Sequence, residues 1–346
     1  MSRIRTLTPL TRRILRSLVA FPAVVVLCLA ADAPAPRAPR GLPALWWPKD
    51  NPYSAEKAEL GRYLFFDRRL SADDTVSCAT CHDPRFAFTD GAPVSTGAQS
   101  RKGTRNAPTI INRAYSLAQF WDGRTASLEE QVKSPIADPL EMGTTLQTVV
   151  DRFQALPGYR VLFVSAFGDR KVTIDRVAMA IASFERTVLS GNAPYDRYLR
   201  GDEKALTPEQ VRGRSLFFDK ARCARCHDGP NFTLNAYANL GVGMDQPNPD
   251  LGRYAVTHNP RDWGAFKAPT LREVEHTAPY MHDGSLKTLD DVVEFYDKGG
   301  IKNQNLDRTI KPLNLTPQEK RDLVAFLKAL SGEGWQNVTA PTQFPR

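Results

Sequence analysis

Four cysteines and two histidines carry the strongest chemical signal in this 346-residue chain. Cys78, Cys81 and His82 form one Cys-x-x-Cys-His unit, and Cys223, Cys226 and His227 form a second. Such a unit is the attachment signature of c-type haem: two thiols add to the haem vinyl groups, and the adjacent imidazole reaches the iron from one face. A Cys-x-x-Cys pair alone also suits a zinc site, a redox-active dithiol or a disulfide. The histidine after both pairs favours haem, because only 5 of the 346 residues are histidine. Two covalent haems are expected, with His82 and His227 as the proximal iron ligands.

The opposite face of each iron decides the chemistry. A strong sixth ligand gives an electron-transfer centre, whereas an open position admits peroxide. No histidine lies between His82 and Cys223, where Met142 and Met179 are the only methionines. The first haem is therefore expected to be five-coordinate or water-bound. The remaining histidines, His258, His276 and His282, all fall in the second half.

The elements that must position these groups read as helices. Gly61-Arg62-Tyr63-Leu64-Phe65-Phe66-Asp67 recurs as Gly213-Arg214-Ser215-Leu216-Phe217-Phe218-Asp219, and a Cys-x-x-Cys-His unit follows each copy. Two related domains in tandem are the simplest account. Thr207-Pro208-Glu209-Gln210 and Thr316-Pro317-Gln318-Glu319 both read as capping boxes with proline in the first turn. Leu323, Leu327 and Leu330 give an apolar face closed by Gly332, and Ile174, Val177, Ala178, Ile181 and Val188 give another. Alternating strand patterns are scarce. Residues 83–110 and 229–270 read as long loops, which tend to be functional in a compact domain.

Charge and the N-terminus bound the partners. The 46 Lys and Arg outnumber the 38 Asp and Glu, a balance of +8. Five of those cations (Arg3, Arg5, Arg12, Arg13 and Arg16) precede an apolar run from Leu18 to Ala31. A charged start, a short apolar core and small residues after it make an export signal over residues 1–31. The run is too short for a membrane anchor, which needs about 20 apolar residues. After its removal the balance is 41 against 38. That calls for no nucleic-acid partner, and no membrane association is expected of the mature chain. The Pro- and Ala-rich stretch over residues 32–49 reads as a flexible leader.

Taken together, LFFDRRLSADDTVSCATCHDP, RNAPTIIN, FWDGR, DPLEMG, LFFDKARCARCHDGPNFT, FKAPTLREVEHTAPYMHDGS and VVEFYDKGG resemble the bacterial di-haem cytochrome c peroxidase and MauG superfamily in the same order. The resemblance spans about residues 50–335. It implies a mainly α fold with two tandem cytochrome c-like domains joined by long loops, over residues 50–200 and 201–346. The first domain would hold the peroxidatic haem.

Position by position, the resemblance also implies roles. Glu141 would be the distal carboxylate that moves protons during peroxide cleavage, although read alone it is a loop glutamate. Gln131 and Pro135 would line the same pocket, and Trp121 would relay electrons between the haems. Asn106, Thr277 and Pro279 would hold one calcium ion. Tyr296, 14 residues after His282, stands where conventional peroxidases carry an axial methionine and MauG-type members an axial tyrosine. Met281 and Met244 are the fallbacks. Ala98 stands where many peroxidases carry a gating histidine, so the resting enzyme should be open.

Ala221 stands where MauG carries the surface tryptophan that passes oxidation to its protein substrate. Trp46, Trp47, Trp263 and Trp335 have no assignable role, and His258 and His276 default to structural hydrogen bonding. The implied activity is periplasmic: hydrogen peroxide drives the iron to a high-valent state that oxidises a partner protein, for instance at a Trp or Tyr side chain. The alternatives are a conventional peroxidase fed by a small cytochrome or copper protein, and a non-enzymatic di-haem electron carrier.

Overall fold

The computed structural model describes Met1 and residues 34–346, so the expected export signal lies outside the described residues. Helix α1 (Ala55–Phe66) opens the first half and α2 (Cys78–Cys81) carries its cysteines. Helices α3 (Leu128–Ala137), α4 (Leu146–Ala155), α5 (Pro157–Phe167) and α6 (Ile174–Glu185) complete that half. Then come α7 (Pro194–Leu199), α8 (Pro208–Phe218), α9 (Tyr254–Thr257), α10 (Leu289–Asp297) and α11 (Pro317–Lys328). Strand content is limited to four two-residue strands among the described residues. β1 (Ser190–Gly191) pairs with β4 (Glu333–Gly334), and β2 (Tyr237–Ala238) pairs with β3 (Phe266–Lys267), both antiparallel.

The helices begin where their caps dictate. Thr207 and Thr316 close reciprocal capping boxes with Gln210 and Glu319, and proline occupies the first turn of α8 and α11. Thr173 caps α6, which ends at Glu185. Val188 of the predicted stripe therefore lies beyond the helix, although it is still fully buried.

The repeated motif has one physical purpose in both halves. At Gly61 on α1, a Cβ would stand 1.9 Å from the Ala180 carbonyl oxygen on α6. At Gly213 on α8, it would stand 1.9 Å from the Asp322 carbonyl oxygen on α11. Each glycine thus lets two helices cross backbone to backbone, which no larger residue permits. One turn on, Phe65 meets Phe184 at 5.1 Å between ring centroids, and Phe217 meets Phe326 at 5.2 Å.

These crossings nucleate two separate hydrophobic cores. One gathers Leu60, Leu64, Phe65, Phe88, Phe153 and Phe163, and the other gathers Phe217, Phe232, Leu323, Phe326 and Leu330. The halves exchange ends: Tyr195 of α7 packs in the second core, and Trp335, from beyond α11, packs in the first. Residues 34–49, read above as a flexible leader, form no regular element, but their backbone is tied down. The Gly41 carbonyl accepts from Arg272 Nη2 at 3.2 Å, the Arg40 carbonyl from the Asn192 N–H at 2.7 Å, and the Pro43 carbonyl from Tyr115 Oη at 2.9 Å. No helix among the described residues is long and apolar enough to cross a membrane.

Candidate active site

Each Cys-x-x-Cys-His unit stands at the wall of its own cavity. In the first half, Ser77 begins α2, so Cys78 and Cys81 lie one turn apart and His82 follows directly. The four cysteines of the described residues are unpaired thiols. Burial pushes Cys81 up to about 11 and Cys223 up to about 12, and raises Cys78 and Cys226 as well. That direction is wrong for a free thiolate nucleophile, which needs a depressed thiol.

The two histidines are oriented by backbone carbonyls. The Nδ1–H of His82 donates to the Phe88 carbonyl at 3.2 Å. That of His227 donates to the Phe232 and Pro269 carbonyls at 3.2 and 3.1 Å. With Nδ1 holding the proton, the Nε2 lone pair is free for a metal, and the carbonyl fixes the ring orientation. Burial lowers both imidazoles, keeping them neutral and able to ligate.

The first cavity, of about 50 Å³, is lined by Cys78, Cys81, His82, Gln131, Pro135, Glu141, Met142 and Glu185 among others. Gln131 and Pro135 share one face of α3 at i and i+4. The loop after α3 folds back onto it: the Met142 N–H donates to the Pro135 carbonyl at 3.0 Å, and the Gly143 N–H to the Asp138 carbonyl at 2.9 Å. Glu141 is thereby aimed at the cavity. Its carboxyl makes no hydrogen bond among the described residues, and burial, reinforced by Asp138 and opposed by Arg124, raises it to about 7.

Ala98 is buried, and its N–H donates to the Glu141 carbonyl at 2.7 Å. The position where the sequence resemblance expects a gating histidine is thus hydrogen-bonded to the backbone of Glu141. Met142 lines this cavity; Met179 does not.

Glu185, at the end of α6, was not foreseen. It is 4 % exposed, its Oε2 has no hydrogen-bond partner, and burial raises it to about 7. Its only sequence signal is a carboxylate that closes an apolar helix stripe.

The second cavity, of about 230 Å³, brings together Cys223, Cys226, His227 and Tyr296 with Trp121, Asn106, Thr277 and Pro279. Thr288 caps α10, which presents Tyr296 to the cavity beside Val292 and Val293. Burial raises the phenol, whose oxygen has no protein hydrogen bond among the described residues. Met281 lines the same cavity, whereas Met244 stands behind its wall against Gly264.

Trp121 Nε1 donates to the Asn106 carbonyl at 2.8 Å, and the Asn106 N–H donates to the His282 carbonyl at 2.7 Å. Arg105 braces this corner by bridging Asp122 and Asp250. His282 is buried against Phe266 at 3.6 Å between ring centroids. Ala221 is a buried residue of the same wall. His258 and His276 are exposed and make no side-chain hydrogen bond among the described residues, contrary to the structural bonding expected of them.

Two thiols and a neutral imidazole at the edge of a cavity, twice over, are the donor set that a covalently attached haem requires. The family model for di-haem cytochrome c peroxidase matches residues 55–204, and that for cytochrome c matches residues 210–331. A cytochrome-c peroxidase IdrP1 from a Pseudomonas species is 41% identical over 332 residues, covering 87% of each chain. The chain belongs to the di-haem cytochrome c peroxidase and MauG family.

As a member of that family it is a haem-dependent oxidoreductase with c-type haems and hydrogen peroxide as substrate. The methylamine utilization protein MauG of Methylorubrum extorquens is 43% identical over 289 residues, covering 83% of this chain and 81% of that one. Among solved structures, a MauG-like protein associated with microbial copper homeostasis superimposes with a TM-score of 0.81 at 36% identity. That match covers 88% of this chain and 97% of the other. The di-haem family thus includes similar proteins named for both activities.

Proposed function

We propose that this protein is a periplasmic, peroxide-activated oxidase of the MauG-like kind, acting on a side chain of a partner protein. The observation that carries this reading is Tyr296, whose unpartnered hydroxyl lines the cavity of Cys223, Cys226 and His227. Tyr296 would offer a phenol oxygen to the iron of a haem held there, which would stabilise ferric over ferrous iron relative to a thioether and so disfavour waiting for one-electron delivery.

When bound, the haem of the first cavity supplies peroxide binding and redox chemistry. Glu141 takes a proton from one peroxide oxygen and returns it to the other, so that water can leave. The Ala98 hydrogen bond and the loop folded onto α3 hold that carboxylate in position before peroxide arrives. Gln131 and Pro135 shape the wall beside it. Trp121, on the wall of the second cavity, couples the two centres. Asn106 Oδ1 accepts no hydrogen bond among the described residues, and with Thr277 and Pro279 it offers oxygen ligands suited to calcium. Export through a cleaved signal accounts for the basic and apolar N-terminus.

The test is stoichiometric hydrogen peroxide added to the fully oxidised protein. Reaction without prior reduction supports the MauG-like reading. A reaction that requires one haem to be reduced first supports a conventional peroxidase, with a small cytochrome or copper protein as donor and Met281 as the axial ligand.

A further inference from the structure

The two cavities have opposite polarity. The first is lined by the carboxyls of Glu141 and Glu185 and by no Lys or Arg. The second is lined by Arg113, Arg222, Arg225, Lys267 and Lys311, and by no Asp or Glu. Arg222, Arg225 and Lys311 are exposed and can be neutralised by water and counterions. Lys267 is buried, and Arg113 is half-buried with its guanidinium facing the cavity. Lys267 is 4 % exposed, and among the described residues its ammonium donates only to Ser116 Oγ, at 3.1 Å. Among the described residues the Arg113 guanidinium hydrogen-bonds only to neutral oxygens, those of the Gln119 side chain and the Ala118 carbonyl.

Other buried cations of this protein are treated differently. Arg272 has both oxygens of Asp196 at 2.8 and 2.9 Å, and Arg186 has both oxygens of Glu129 at 2.6 and 3.0 Å. A cation taken out of water without a partner is costly, and a carboxylate brought to it offsets that cost. Burial lowers Lys267 to about 6 and Arg113 to about 10 in the absence of such a partner. A haem carries two propionates, so the group this cavity receives is a dianion.

We propose that Arg113 and Lys267 are the receptors for the propionates of the haem attached at Cys223, Cys226 and His227. The placement is rigid. Lys267 ends β3, and its N–H donates to the Trp121 carbonyl at 2.8 Å, so one backbone hydrogen bond ties the propionate anchor to the tryptophan on that wall. Arg113 lines the second cavity and also feels the charge of Glu185, which lines the first. The assignment rests on haem attachment and holds equally for a MauG-like oxidase and a conventional peroxidase.

The test has two arms on the holoprotein. In a crystal structure of the wild type, propionate oxygens are expected within hydrogen-bond distance of Lys267 Nζ and the Arg113 guanidinium. Propionates directed away from both side chains overturn the assignment. In spectroelectrochemical titrations across neutral pH, Lys267→Gln and Arg113→Gln are expected to lower the potential of the second haem, because a nearby positive charge favours ferrous iron. They also let a propionate protonate nearer neutrality, so the potential becomes pH-dependent, whereas Lys267→Arg keeps the wild-type profile. Of the other groups on that wall, burial takes His282 down to about 4 and Tyr280 up to about 12, so neither titrates in this window. A Lys267→Gln protein with both haems attached and an unchanged potential and pH profile overturns the proposal. So does a wild-type potential that shifts on adding phosphate, which assigns the pair to a free anion. Should the variants fail to load haem, the wild-type crystal structure decides.

Discussion

The N–H of Ala98 donates to the carbonyl of Glu141 at 2.7 Å, so the loop around Ala98 clamps the backbone of the carboxylate that lines the first cavity. Ala98 is 2 % exposed, which leaves no room for an imidazole. Ala98→His should push the loop away and break this bond. The peroxide reaction of the oxidised protein should fall at least about tenfold while both haems stay attached, as stopped-flow absorbance would register.

Glu141 sets the pH dependence. Buried and facing Asp138, Arg124 and, across the same cavity, Glu185, it titrates at about 7. As a base it works when ionised, so the rate of peroxide reaction should rise as pH increases through that value and level off above it. Glu141→Gln should cost about 10²–10⁴-fold and remove the inflection. Because Asp138 raises this carboxyl and Arg124 lowers it, Asp138→Asn should move the inflection down and Arg124→Gln should move it up.

On the proposed reading, Tyr296 sets the properties of the second haem. Tyr296→Met should raise that haem's potential, change its visible and EPR spectra, and make peroxide reactivity depend on prior reduction. Unchanged spectra in a folded, loaded Tyr296→Phe protein would remove the tyrosine from the iron.

The repeated glycines set stability. Gly213→Ala brings a methyl group to 1.9 Å from the Asp322 carbonyl oxygen, and Gly61→Ala does the same against Ala180. Either substitution should destabilise by about 1–3 kcal/mol, read as a lowered Tm in thermal unfolding.

How much of this was legible in the sequence follows from how local each signal is. The haem-binding cysteines and histidines sit within five residues of one another, and the capping boxes at Thr207 and Thr316 within four, so spacing alone reveals them. The purpose of Gly61 and Gly213 depends on helices more than 100 residues away, and only the repeat hinted at it. Glu185, Arg113 and Lys267 look like ordinary charges in sequence. Their burial is a product of tertiary packing, which no periodicity reports. The Pro- and Ala-rich stretch before residue 50 reads as a flexible leader, and its ties to Arg272 and Tyr115 come from the far half of the chain and from a distant turn. The exchange of Tyr195 and Trp335 between the cores was hidden for the same reason.

The most direct test of the central claim is one equivalent of hydrogen peroxide added to the as-purified, fully oxidised protein, followed by EPR. The open first site and the Tyr296-bearing second site predict that the ferric signals of both haems disappear together without prior reduction. Ferric signals that persist until one haem has been reduced would contradict the account.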